Sequence, residues 1–155
     1  MPLIIDACVA QHQGDRKEQQ DRVALFPHPR GGGVALAVVA DGMGGHTGGV
    51  LAAQQVIHTA CNNLEQFSAR TESPQIMLES SLREAHMLIK ASRFINEKDP
   101  HSTAVILILQ PGKVSWAHCG DSRLYQFRGD QPFFRTTDHS YVEQLVAKGK
   151  ITPEQ

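Results

Sequence analysis

The chain has 155 residues, a length that fits one domain, with 41% apolar residues and a net charge of -1 when histidine is neutral. That apolar fraction is ordinary for a globular chain and enough to build a core. The near-zero charge gives no electrostatic case for a nucleic-acid or anionic-membrane partner.

Three cysteines (Cys8, Cys61, Cys119) lie far apart without a C-x-x-C pair, so neither a zinc site nor a disulfide framework is suggested. Cys8 on a strand and Cys61 on a helical stripe are expected as buried thiols. The opening MPLIIDACVAQHQ lacks a basic region followed by a long apolar one, so no signal peptide is read. No apolar run approaches the roughly 20 residues needed to span a bilayer. The expected compartment is a reducing cytoplasm.

In chain order, Leu3 to Ala10 reads as a short apolar strand and Gln11 to Asp21 as a polar loop. Val23 to Phe26 is a strand candidate, followed by a turn punctuated by Pro27, Pro29 and Gly31 to Gly33. Val34 to Ala40 is a continuous apolar strand, expected to be covered on both faces. Val50, Ala53, Ile57, Ala60, Leu64 and Phe67 recur at spacings of three and four, which is one face of a helix. Ser73-Pro74 has the form of an N-cap with proline at the first helical position. Leu78, Leu82, Ala85, Ile89 and Ser92 form a second helical stripe, running to about Asn96. The two helices are expected to pack antiparallel over one sheet.

Ser102 to Leu109 and Val114 to His118 read as a hairpin about the Gln110-Pro111-Gly112-Lys113 turn. Leu124 to Arg128 and Phe133 to Thr136 form another, and Ser140 to Lys148 a short helix. Strands paired in hairpins favour an α+β, largely antiparallel fold over a doubly wound one.

The stretch VALAVVADGMGGHTGG, from Val34 to Gly49, carries the chemistry. A strand ends in Asp41-Gly42, and glycines let the backbone bend tightly and approach a ligand closely. By itself the pattern also fits a solvated loop aspartate. Arg16 and Asp21, as bare residues, fit a solvated pair in a loop.

Taken with three other stretches, DGMGGH (Asp41 to His46) resembles the signature of the bacterial PPM, or type 2C, metal-dependent serine/threonine phosphatases. GDSR (Gly120 to Arg123) is similar to a second family motif, and TTDHSYVEQLVAKGKITPEQ resembles the segment that follows it. Arg16 stands five residues before Asp21, the spacing of the family's opening motif. The four motifs occur in family order over residues 1–155, read as the N-terminal part of one phosphatase domain. The resemblance implies a β-sandwich flanked by helix pairs, incomplete at the C-terminus.

It further implies two Mg²⁺ or Mn²⁺ ions and hydrolysis of phosphoserine or phosphothreonine in proteins. Two divalent cations about 3.5–4 Å apart neutralise a phosphomonoester and acidify a water. Hard cations need oxygen ligands. The family's pattern places Asp41 as the bridging ligand, Gly42 as a carbonyl ligand, Asp21 at the edge of the metal site and Asp121 at a weaker third position. Arg16 falls on the phosphate-binding arginine, whose guanidinium can donate two parallel hydrogen bonds.

Three departures stand out. Gln20 replaces the usual acidic residue before Asp21, which should lower metal affinity. Met43 stands where animal-type members carry histidine, which leaves the general acid unassigned. His46 reads as structural, His118 as a packed strand histidine and His139 as a cap of the last helix. Two further aspartates of the family, in S-D-G and D-N stretches that complete the first metal position, have no counterpart in the sequence, so the resemblance leaves open whether these residues are active alone or only within a longer parent. Unfinished sheet edges would then favour self-association.

A second reading is a pseudophosphatase that binds a phosphorylated partner through Arg16 without turnover. A third, a nucleotide-binding glycine loop, is weak: neither the G-x-G-x-x-G spacing nor a P-loop lysine is present.

Overall fold

The computed structural model describes residues 4–44, 46–93 and 99–152. In chain order the elements are β1 (Arg22–Pro27), β2 (Ala35–Ala40), β3 (Gly42–Met43), α1 (His46–Gln66), α2 (Pro74–Ser92), β4 (His101–Ser102), β5 (Ala104–Gln110), β6 (Lys113–Cys119), β7 (Tyr125–Arg128), β8 (Gln131–Arg135) and α3 (Tyr141–Ala147). They build one four-stranded sheet ordered β1-β2-β5-β6 and two small sheets, β3-β4 and β7-β8. Every pairing is antiparallel. The fold is α+β, as the hairpin pattern implies.

Side chains alternate across a strand and recur every three or four residues along a helix, so one face of each element can meet a common core. Leu36, Val38 and Ala40 of β2 and Ala104, Ile106 and Ile108 of β5 point to that core. Ala53, Val56, Ala60 and Leu64 of α1 meet Met77, Leu78 and Ala85 of α2 over it. Each fully buried Leu, Ile or Val contributes roughly 1.5–3 kcal/mol. The loop after α1 is clamped to the β1–β2 turn. Buried His28 meets the Phe67 carbonyl through Nε2 at 2.9 Å and accepts from Arg30 N through Nδ1 at 3.1 Å. Arg30 also donates to the Glu65 and Gln66 carbonyls, which the end of α1 leaves without helical partners.

Four expectations need correction. β2 is covered on one face only: Val39, on the other, is 43% exposed. A continuous apolar run does not report which face a second layer covers.

The strand expected over Leu3 to Ala10 does not form. Leu3 lies outside the described residues, and residues 4–10 are irregular and exposed, with no strand of the three sheets paired to them. Apolar content makes a strand only where a ladder partner is available. Cys8 is therefore exposed, and Cys61 is half-buried, with its thiol pushed up by burial and then by the Glu65 charge.

Pro74 begins α2, but the Ser73 side chain makes no cap bond to the helix; its hydroxyl meets Gln75 Oε1 instead. The expected extension toward Asn96 falls on residues 94–98, outside the described ones. At α3, Ser140 caps as helix geometry requires, accepting from Glu143 N at 3.1 Å.

Candidate active site

The loop before β1 has no regular structure, so its shape rests on side-chain amides. Gln11 donates to the Asp21 carbonyl at 3.1 Å and Gln13 to the Arg16 carbonyl at 2.7 Å. Gln19 donates to the His12 carbonyl at 3.1 Å while its Oε1 accepts from Asp21 N at 3.1 Å. His12 Nδ1 accepts from Gly14 N at 2.9 Å. A glutamine-rich stretch that reads as solvated loop thus sets the backbone around Arg16 and Asp21.

Asp41 follows the last residue of β2, and its carboxylate position is inherited from that buried strand. β3 then pairs with β4, Gly42 opposite Ser102 and Met43 opposite His101. Two glycines make the bend possible by lacking a side chain. A Cβ on Gly42 would run into the Gly49 carbonyl oxygen and lie 2.9 Å from the Gln20 carbonyl oxygen. A Cβ on Gly49 would lie 2.5 Å from Gln20 Oε1 and 2.7 Å from the Gly42 carbonyl carbon. The start of α1, the Asp41-Gly42 bend and Gln20 therefore pack backbone to backbone.

Asp121 lies in the turn after β6. That turn is held by the segment before α3: His139 N donates to the Gly120 carbonyl at 2.9 Å. Arg123 forks onto both oxygens of Asp138, Nε to Oδ1 and the terminal nitrogen to Oδ2, each at 2.7 Å. The fork raises the Arg123 guanidinium above its usual range and lowers the Asp138 carboxyl.

Between these elements opens a cleft of about 760 Å³. Arg16, Asp21, Asp41 and Gly42 line it, together with Gln20 and His12. Asp121 does not line it, but its charge reaches Asp41. Burial pushes the Asp41 carboxyl up, then the charge of Asp21 and a hydrogen bond with it, then the charge of Asp121; Arg16 acts in the opposite direction. Arg16, Asp21 and Asp121 thus all lie within electrostatic reach of Asp41. They do not form a finished cage: among the described residues no three His, Cys, Asp or Glu side chains converge closely enough to hold a metal ion.

The sequence profile of the family described as protein phosphatase 2C matches residues 10–148. The chain belongs to that family. Protein phosphatase PhpP of Streptococcus pneumoniae is 29% identical over 149 residues, covering 90% of this chain and 57% of that protein. The crystal structure of the serine/threonine phosphatase PstP/Ppp of Mycobacterium tuberculosis superposes with a TM-score of 0.74 at 28% identity, over 90% of this chain and 56% of that one. A catalytic domain of PstP in complex with two manganese ions gives the same TM-score and identity, over 90% and 57% of the two chains. The chain thus spans a little over half the length of the protein phosphatase 2C relatives it matches.

Within this protein phosphatase 2C fold neither His118 nor His139 lines the cleft. His118 and His139 stack with ring centroids 4.5 Å apart, and His118 Nε2 meets the Thr137 carbonyl at 3.0 Å. His118 is half-buried rather than packed in the core, and Ser140, not His139, caps α3. The side chain of His46 lies outside what the structure describes. Sequence reasoning missed His12 on the cleft wall and the buried Thr103 behind it. No spacing signal marks either one; Thr103 is brought in by contacts between distant segments.

Proposed function

We propose that this cleft binds divalent cations of the Mg²⁺ or Mn²⁺ class and that the protein hydrolyses phosphoserine and phosphothreonine in proteins. The observation that carries the reading is the electrostatic cluster of Asp21, Asp41 and Asp121 opposed by Arg16. The donor set fits such an ion. The like charges of Asp21 and Asp121 disfavour the ionised, partly buried Asp41 carboxyl, and a hard cation with oxygen ligands relieves that repulsion. Asp21, Asp41 and the Gly42 carbonyl would hold it, with Asp121 at a weaker position.

When bound, a pair of such ions neutralises phosphate charge and lowers the pKa of a water. Asp41, at the end of a buried strand, fixes where that charge sits. Arg16, on the wall of the same cleft, would grip the phosphate through parallel N–H donors. The name of each relative as a phosphatase supports turnover over phosphopeptide binding alone. A cytoplasmic location and the reading of residues 1–155 as the N-terminal part of one phosphatase domain belong to the same proposal; among the described residues no helix is long and apolar enough to cross a membrane.

The test is release of phosphate from a phosphothreonine peptide with Mn²⁺ present. The wild-type protein should release it, and Asp41→Ala should not. Retained activity in Asp41→Ala would refute the assignment; tight peptide binding without release would establish the pseudophosphatase reading instead.

A further inference from the structure

Thr103 stands between β4 and β5, is 3% exposed and does not line the cleft. It nevertheless touches both aspartate-bearing segments. Its Oγ1 accepts from Asp41 N at 3.0 Å, and its own N donates to the Asp41 carbonyl at 2.9 Å. One residue thus satisfies both backbone groups of Asp41. The same Oγ1 lies 2.6 Å from the hydroxyl of Ser122, the neighbour of Asp121. On the other side, a Cβ on Gly120 would lie 2.7 Å from Thr103 Cγ2, so the turn packs against the Thr103 methyl.

We propose that Thr103 is a positioning residue whose hydroxyl sets the separation of Asp41 from the Asp121 turn, and so the fit of the cleft to a divalent cation. This rests on the metal reading of the cleft given above. The chemistry supports a hydroxyl and nothing else at this position. A hydroxyl has one proton and two lone pairs, so it can accept from Asp41 N–H and still pair with Ser122. Valine has the same shape but leaves the part-buried Asp41 N–H without its acceptor and the Ser122 hydroxyl without its partner. Serine keeps both bonds and gives up only the methyl.

Outer groups that orient metal ligands typically change metal affinity by about 10- to 100-fold when removed. Thr103→Val should therefore weaken Mn²⁺ binding by that order in a calorimetric titration, while Thr103→Ser binds as the wild type does. Thermal midpoints are read alongside. A Thr103→Val protein that loses thermal stability but binds Mn²⁺ like the wild type has lost only a structural contact, and the proposal fails. Should Thr103→Val not fold, Ser122→Ala decides: it removes the far end of the link on a half-buried turn and should weaken Mn²⁺ in the same direction. Wild-type affinity in Ser122→Ala overturns the link. Absence of Mn²⁺ binding by the wild-type protein itself overturns the metal reading and the role of Thr103 together, and is told apart by appearing without any substitution.

Discussion

At the scale of the residue, the behaviour of Asp41 decides most. Its carboxyl is held above the ordinary value of 3.8 by burial and by two like charges. The folded protein therefore holds this proton more tightly than the unfolded chain does. As pH rises from the ordinary carboxylate range through the raised value, the metal-free protein loses stability, and above that value the whole loss remains. Asp41→Asn removes the charge. It should raise the metal-free thermal midpoint at neutral pH, and it should abolish stabilisation by Mn²⁺. Differential scanning calorimetry with and without Mn²⁺ reads both effects; a lowered midpoint in the metal-free variant would contradict the electrostatic account. The gathering of Arg16, Asp21 and Asp121 around Asp41 was legible from the family motifs and their spacing, while their roles belong to the proposal above. Thr103 was not. Its role depends on two backbone groups and a hydroxyl that come from segments 62 and 19 residues away.

At the scale of the element, the helix stripes and hairpins were readable because their periodicity is local. α1 and α2 bury the faces that their spacing marks, although Val56 and Met77 join the core beside the expected positions. Leu64 is 1% exposed in α1 and packs within that core. Leu64→Ala should cost about 2–5 kcal/mol, measured by urea denaturation with an unchanged slope. A cost below 1 kcal/mol would show that the helix pair is looser than its packing. Gly49 tests the bend at the other end of α1. A Cβ there meets backbone atoms of Gly42, which cannot swing away as a side chain can. Gly49→Ala should therefore impair folding and Mn²⁺ binding together, whereas Gly112, with open space at its Cβ, tolerates alanine apart from the strain of its φ of 73°. Comparison of the two variants by thermal unfolding separates collision from strain. Residues 4–10 show the opposite limit. Their composition suits a strand, but a strand exists only when another strand pairs with it, and that information is not local.

At the scale of the whole molecule, the four-stranded sheet is asymmetric. Its helix-covered face is the core, while Val39, Val114 and Trp116 on the opposite face are each more than one-third exposed. Trp116 gains only a tilted contact with Phe134, with ring centroids 5.1 Å apart. Exposed apolar surface of this kind drives association. Sedimentation of the 155-residue chain should show concentration-dependent self-association, reduced by Val39→Lys, with its thermal midpoint close to the wild type. A monomer at all concentrations would contradict this. The sequence could not assign this face, since β2 reads as uniformly apolar and only the placement of the helix pair distinguishes its two sides.

The central claim is that Asp21, Asp41 and the Gly42 carbonyl form the wall to which a divalent cation binds. Anomalous diffraction from crystals grown with Mn²⁺ tests it most directly. A manganese peak is expected in the cleft, within about 2.0–2.6 Å of an Asp41 carboxylate oxygen, and it disappears in Asp41→Ala. A manganese peak bound elsewhere, with the Asp21 and Asp41 carboxyls still hydrogen-bonded to each other, would contradict it.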